Sequence, residues 1–335
     1  MLACYVEEGG SARIDFTFAG GRKEDIAKRV TVLPYVVDST NLEEHKEELK
    51  DVEIILATWE ISVFTKEQIQ KYFPSLKAVL YAAASVQRFA RPYLELGIQV
   101  SSAQAPMAIS VAEMTLALII ECSKGFFVSN PMYRKTRDYS RCHKLITTTY
   151  PGLYEQTPIG ILGMGAIGRL VTKYLSAFDV KVLAFDPFLS EEEAKELGVE
   201  KTSLENIFKK CDVISNHIAN RPETVGMLKY EHFSQMKPTA AFINTGRGAQ
   251  VVEEDLARAM REVPTRSAVL DVTTEEPYNG ELWDLENVYI LPHIAGFSRK
   301  EVWRFPDFVI RQIDHLLANE PLEGTVTLEK LKTMA

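Results

Sequence analysis

Cysteine is scarce in this chain: 335 residues carry four, Cys4, Cys122, Cys142 and Cys211. Their scatter matches neither a metal site nor a redox pair, so reduced thiols and no bound metal are expected. Basic charge is also short, with 38 Lys and Arg against 46 Asp and Glu for a net charge of −8. That balance argues against a nucleic-acid surface, yet a locally positive site could still take a small anion. No apolar run is expected to reach the roughly 18 residues of a membrane span. The Met-Leu-Ala-Cys-Tyr start lacks a basic n-region leading into an apolar h-region. Repeats and low-complexity tracts are missing, and no regulatory domain is expected after the last helix. With 46% hydrophobic and 25% charged residues, the expectation is an ordinary soluble, cytoplasmic protein with room for two cores.

What is present is a double α/β series. Over residues 1–105, apolar runs at 33–37, 52–57, 76–82 and 98–101 alternate with polar helical stretches, which reads as a parallel layer. A long apolar segment from Ser110 to Cys122 follows and reads as a buried connecting helix, with Ser110 as N-cap and Glu113 in its first turn. After an irregular stretch a second series opens, with strands near 159–162, 180–185, 213–216, 240–244, 268–272 and 288–291. Six strands with intervening helices match a dinucleotide-binding domain. The amphipathic tail 298–318 is expected to return to the first domain, leaving a cleft between the two.

The second series begins with the most telling residues. An apolar strand enters Gly163-Met164-Gly165-Ala166-Ile167-Gly168 and continues into a helix-forming segment. Gly163 permits the tight turn, Gly165 lets a diphosphate approach the backbone, and Gly168 lets the helix lie close on the strand. The next strand ends in Asp186, roughly 20 residues beyond the glycines, where a carboxylate can accept both hydroxyls of an adenosine ribose. Asp186 could also be a simple turn cap before Pro187. The residues that follow, 188–193, hold three glutamates and no Arg or Lys to receive a 2′-phosphate. NAD is therefore expected rather than NADP.

Three later strand ends add chemistry. Arg247 closes an apolar strand in Asn-Thr-Gly-Arg-Gly, Glu276 follows the strand ending at Asp271-Val272, and His293 stands in Pro-His-Ile-Ala-Gly. Each has a plainer reading: a surface ion-pair partner, a solvated loop charge, a structural histidine. Together, at the carboxyl edge of one sheet, they supply what hydride transfer to a 2-oxo acid requires. Arg247 would bind the carboxylate and polarise the carbonyl, His293 would protonate its oxygen, and Glu276 would steady the imidazolium. His217 is a rival base, while His45, His143, His232 and His315 read as surface residues.

On these motifs, with Val111-Ala112-Glu113 and the run from Asp212 to Thr224, the chain resembles the D-isomer-specific 2-hydroxyacid dehydrogenase family over almost its full length. The resemblance implies an α/β fold of two doubly wound domains, a Rossmann NAD-binding domain (106–293) inserted into a flavodoxin-like substrate domain (1–105 and 294–335). It implies Arg247, Glu276 and His293 as the catalytic triad, and an NAD site of Gly163, Gly165, Ala166, Ile167, Gly168, Asp186, Ala219, Thr245, Gly246, Asp271 and Gly296. Asp271 would face the nicotinamide amide. A homodimer built on the nucleotide domains is implied too, with the basic, aromatic stretch 131–141 as an arm at the subunit contact.

The chain also departs from the pattern. A turn that is usually glycine-rich, and whose amides hold the substrate carboxylate, reads Ala84-Ser85-Val86 here, so a tighter or reshaped pocket is expected. Met107 replaces a polar residue and Ala219 a proline. The alternative to catalysis is a non-catalytic NAD-sensing scaffold or corepressor of the same fold.

Overall fold

The structure, a computed structural model, describes residues 1–332. It divides into two compact units: Met1–Met107 with the chain from Phe297 onward, and Ala108–Gly296.

In the first unit β1 (Leu2–Val6), β2 (Thr31–Val37), β3 (Val52–Ala57), β4 (Ala78–Tyr81) and β5 (Gln99–Ser102) form a parallel sheet in the order β2-β1-β3-β4-β5. A short strand, Thr325–Val326, adds antiparallel to β5. Alternation along the strands sends Cys4, Val6, Ile55, Ala57 and Val79 into one core and Ala3, Tyr5, Ile54, Leu56 and Leu80 into the other. Both faces are covered, which explains why these strands read as continuous apolar runs. The helix Arg304–Ala318 buries Phe305, Phe308, Val309 and Ile313 in the second of those cores. The amphipathic tail thus returns to the first sheet, as its pattern suggested.

The second unit holds β6 (Thr157–Leu162), β7 (Val180–Phe185), β8 (Glu200–Lys201), β9 (Val213–Asn216), β10 (Ala241–Asn244), β11 (Ser267–Leu270) and β12 (Val288–Ile290). All are parallel, in the order β12-β11-β10-β9-β6-β7-β8. Strand order reverses between β6 and β9, the place where open α/β sheets bind ligands beyond their carboxyl ends. Both units are doubly wound, in agreement with the expected fold class. The two-residue β8 is one strand beyond the expected six, too short to leave a pattern.

Four local expectations are corrected. The connecting helix runs from Gln104 to Ser123, so Ser110 lies inside it and is no N-cap. Pro106 sits in its first turn, where a missing N–H costs no helical hydrogen bond. This helix has a most apolar window of mean hydropathy 1.6, so one segment does meet the length and composition of a membrane span. Its Ala112, Leu118, Ile119 and Cys122 pack in one core with Ile159, Ile161 and Ile243. The stretch read as irregular forms two helices, Phe126–Thr136 and Tyr139–Thr149. Pro131 lies within the first of them. His232, expected at the surface, is buried against Phe208 and accepts from the Lys229 amide.

Phe242 of β10 is fully buried, edge-on to Phe233 at 5.2 Å between ring centroids. Phe242→Ala should cost about 3–5 kcal/mol of unfolding free energy, measured by urea denaturation. A loss below about 1 kcal/mol would mean that β10 is not packed as described.

Candidate active site

The glycine turn after β6 is built by contact. A Cβ on Gly163, whose φ is +89°, would lie 2.7 Å from the His217 carbonyl oxygen, and one on Gly168 would lie 2.1 Å from the Gly163 oxygen. Glycine at these two positions lets the turn touch the end of β9 and lets the helix Ala166–Leu175 lie against the turn. Gly165 differs, because a Cβ there would meet nothing within 4 Å. No side chain caps that helix, and Gly165 and Ala166 are exposed. Open amides at a helix N-terminus facing free space suit a diphosphate, so these residues fit the dinucleotide that the motif implies.

Asp186, at the end of β7, anchors this turn. One carboxylate oxygen accepts from the Met164 amide at 2.7 Å and the other from the Phe188 amide at 2.8 Å. Each oxygen keeps a second lone pair for a hydroxyl. The structure also supplies a cation that the local sequence did not show. Arg221, from the loop after β9, lies over the ring of Phe188, two residues beyond Asp186, at 5.1 Å.

Arg247, Glu276 and His293 all follow strands of the second sheet. Gly248 explains how the arginine turn reaches the glutamate loop, since a Cβ there would lie 1.9 Å from the Thr273 carbonyl carbon. Arg247 is held by its own turn, with Nη1 donating to the Gly246 carbonyl at 2.7 Å and its amide to Gln250 Oε1 at 3.3 Å. Among the described residues no carboxylate lies within ion-pair distance of it, so the surface ion-pair reading fails. Burial lowers its pKa, opposed by the field of Glu276. A half-buried guanidinium without a carboxylate is set to take one from a ligand.

His293 Nδ1 meets Glu276 Oε2 at 2.7 Å. Both side chains are solvent-accessible. The bond to Nδ1 leaves Nε2 to exchange a proton with a ligand. His293 adopts a left-handed backbone conformation, φ 55°, a costly choice for a β-carbon residue outside glycine. Asp271 holds it there, accepting from the Ile294 and Ala295 amides at 2.8 and 2.9 Å. Both oxygens of that buried carboxylate thus serve the histidine loop, a positioning role that sequence did not reveal. Gly296 closes the same loop.

His217 is placed away from this pair. Its ring is buried, with Nε2 2.9 Å from Ser215 Oγ and Nδ1 3.4 Å from Thr245 Oγ1, which in turn meets Thr115 Oγ1 at 3.1 Å. Burial pushes its pKa from 6.5 down to about 3, so it is a neutral tie between β9 and the Thr245-Gly246 turn. The Ala219 carbonyl accepts from Thr224 Oγ1 at 2.8 Å, which orders the loop after β9.

In the first unit the turn after β4 leaves the amides of Ala84, Ser85 and Val86 without an acceptor among the described residues. The side chains correct one expectation. Val86 is fully buried in the core and only Ser85 is exposed, so Val86 does not narrow a pocket. Ser102 Oγ fixes the turn by donating to the Ala83 or Ala84 carbonyl, each at 3.0 Å.

Residues 116–295 match the family model for the D-isomer specific 2-hydroxyacid dehydrogenase, NAD binding domain. A glyoxylate reductase of Thermofilum pendens is 32% identical over 239 residues, 70% of each chain. A D-3-phosphoglycerate dehydrogenase of Methanocaldococcus jannaschii is 29% identical over 314 residues, 92% of this chain and 58% of that protein. The chain spans about half the length of several of the curated relatives it matches, 42% for the D-3-phosphoglycerate dehydrogenase of Synechocystis. A phosphoglycerate oxidoreductase from Rhizobium etli has the same fold at a TM-score of 0.82, 22% identity and 98% coverage of both chains. D-mandelate dehydrogenase of Rhodotorula graminis does so at 0.78, 20% identity and 97% of each chain.

The neutral state of His217 has a consequence for stability. Its unfolded-state pKa near 6.5 exceeds the folded value of about 3, so the unfolded chain takes up a proton first as pH falls. The contribution is therefore present above pH 6.5 and lost on acidification, by about 2 kcal/mol between pH 7 and 5. Urea denaturation at the two pH values should show His217→Gln losing correspondingly less stability than wild type on acidification. Equal losses in both proteins would show that the folded ring takes up its proton normally.

Proposed function

The chain belongs to the D-isomer-specific 2-hydroxyacid dehydrogenase family, and on that premise we propose that it reduces a 2-oxo acid to the D-2-hydroxy acid with NADH, reversibly. The observation that carries the reading is the 2.7 Å bond from His293 Nδ1 to Glu276, beside strand ends that present an unpaired Arg247. With its diphosphate in the glycine cradle, the dinucleotide would supply the hydride from its nicotinamide. Gly165, Ala166 and Ile167 would hold the diphosphate, Asp186 the adenosine ribose, and the Ala219, Thr245, Gly246 and Gly296 loops the nicotinamide half, with Asp271 near its amide.

Arg247, with its half-buried guanidinium, would bind the substrate carboxylate and polarise the carbonyl; the open amides of Ala84, Ser85 and Val86 are the groups of the first unit suited to a carboxylate. His293 Nε2 passes a proton to the carbonyl oxygen as charge develops there. Glu276 holds the ring in the tautomer that leaves Nε2 toward substrate and stabilises the imidazolium that serves as the acid. NAD is favoured over NADP because Asp186 would repel a 2′-phosphate, although Arg221 moderates that repulsion.

We assign the protein to the cytosol, on its four buried free cysteines, and propose a homodimer on the nucleotide-binding unit, with no nucleic-acid or membrane partner. The exposed Phe126, Tyr133 and Tyr139 of the helices 126–136 and 139–149 support that contact.

His293→Ala should lower kcat for oxo-acid reduction by about 10²–10⁴-fold while the NADH dissociation constant stays within about threefold. An equal loss of cofactor affinity would refute proton transfer as its role. A wild-type chain that binds NADH but turns over no 2-oxo acid would support the scaffold reading instead. Asp186→Ala should raise the KM for NADH and spare that of the oxo acid; the reverse pattern would overturn the ribose assignment.

A further inference from the structure

The loop that carries Glu276 is held by the segment that carries Arg247. From Arg247 the chain makes one short helical turn, Gly248–Gln250, and then enters the helix Glu253–Glu262. Buried Gln250 stiffens this segment. Its Oε1 accepts from Asn216 Nδ2 at 2.9 Å and from the Arg247 amide, and its Nε2 donates to the Ile218 carbonyl at 3.0 Å. The segment meets the loop after β11 at two successive residues: Gly248 lies against the backbone of Thr273, and Glu253 Oε1 accepts from the Thr274 amide at 2.6 Å. One contact alone would leave a pivot. The second fixes the direction in which the loop runs on to Glu276, two residues further.

Stability alone does not account for a glutamate at this place. Glu253 is half-buried, and no Lys, Arg or His pairs with it among the described residues. Burial pushes its carboxyl above the ordinary carboxylate range, against the bonds from Thr274, and Glu254 and Glu275 add to the rise. Tyr278, further along the loop, also lies in its field, while Arg258 and Arg261 of its own helix are taken by Glu262 and Glu281. A carboxylate desolvated among other carboxylates is destabilising. The loop it binds has little else to hold it. Thr273 is buried, but Thr274, Glu275 and Glu276 are exposed, so no core packing fixes that end of the loop. Arg247 in turn feels the field of Glu276, and the spacing of arginine, glutamate and histidine therefore depends on where the loop runs.

We propose that Glu253 is a positioning residue for the reaction: by binding the Thr274 amide it sets where Glu276 stands, against His293 and in the field of Arg247. This rests on the dehydrogenase reading and adds a residue that acts through Glu276 and does not touch the substrate. The bond, not the charge, carries the effect, because a carboxylate oxygen at the right reach is what orders the Thr274 backbone.

The test follows NADH-dependent reduction of glyoxylate, pyruvate and phenylpyruvate by the full chain across pH, and the pH titration of the His293 ring by NMR without cofactor. In Glu253→Ala kcat should fall by about tenfold while the NADH dissociation constant stays within about threefold. The pH above which reduction declines and the midpoint of the His293 titration should both move down by about half a unit or more, as Glu276 leaves the ring. Glu253→Asp keeps the charge but loses the reach and should behave as Glu253→Ala does. Glu253→Gln keeps an acceptor oxygen and should restore rate, profile and titration. An unmoved profile and titration in Glu253→Ala and Glu253→Asp, or a Glu253→Gln that shifts as far as Glu253→Ala, would overturn the proposal. The expected titration shifts in a chain that reduces no 2-oxo acid would sink the dehydrogenase reading and keep the positioning role; turnover with an unmoved titration would do the opposite.

Discussion

Backbone contact at the carboxyl end of the second sheet is the constraint on which the site depends. Gly163 lies against the His217 carbonyl, Gly168 against Gly163, and Gly248 against Thr273. At each contact a single methyl group would overlap backbone, which cannot yield as a flexible side chain can. These approaches link the ends of β6, β9, β10 and β11, so the cofactor turn, the arginine turn and the glutamate loop form one rigid edge. A site on such an edge keeps its geometry without relying on long side chains to find one another.

Carboxylates do the remaining fastening. Asp186 ties the glycine turn to the end of β7, and Asp271 binds two successive amides of the loop that carries His293. Glu7 plays a similar part in the first unit, accepting from the Arg13 and Ile14 amides at 2.9 and 2.7 Å. Charge-assisted bonds to backbone amides are short and directional, which suits a loop whose histidine sits in a left-handed conformation. The strain at His293 is thus offset next door, by a residue that the sequence marked only as a cofactor contact.

The triad candidates were legible because each stands in the loop that follows an apolar strand, and a parallel sheet places all such loops on one side. Linear order alone therefore assigned Arg247, Glu276 and His293 to a common edge. The tie through His217, Thr245 and Thr115 was not legible, because it depends on side-chain directions from three separate elements. Arg221 was missed for the same reason: it is distant from Phe188 in the chain and meets it only through the loop after β9. Val86 looked like a pocket residue, yet its turn directs it into the core. The helices around Pro131 carried too little periodicity and too much charge to be read.

The sequence by itself determined two doubly wound α/β units and the dinucleotide turn, and it singled out Arg247, Glu276 and His293 as the candidates for the reacting side chains. These rest on local rules: apolar runs of strand length, glycine spacing and polar residues at strand ends. Only the tertiary structure decided that Asp271 serves the histidine loop, that Arg247 has no carboxylate partner among the described residues, and that Glu253 meets the Thr274 amide. Glu253 and Thr274 come from separate segments, and packing, which acts between neighbours in space and not in sequence, brings them together.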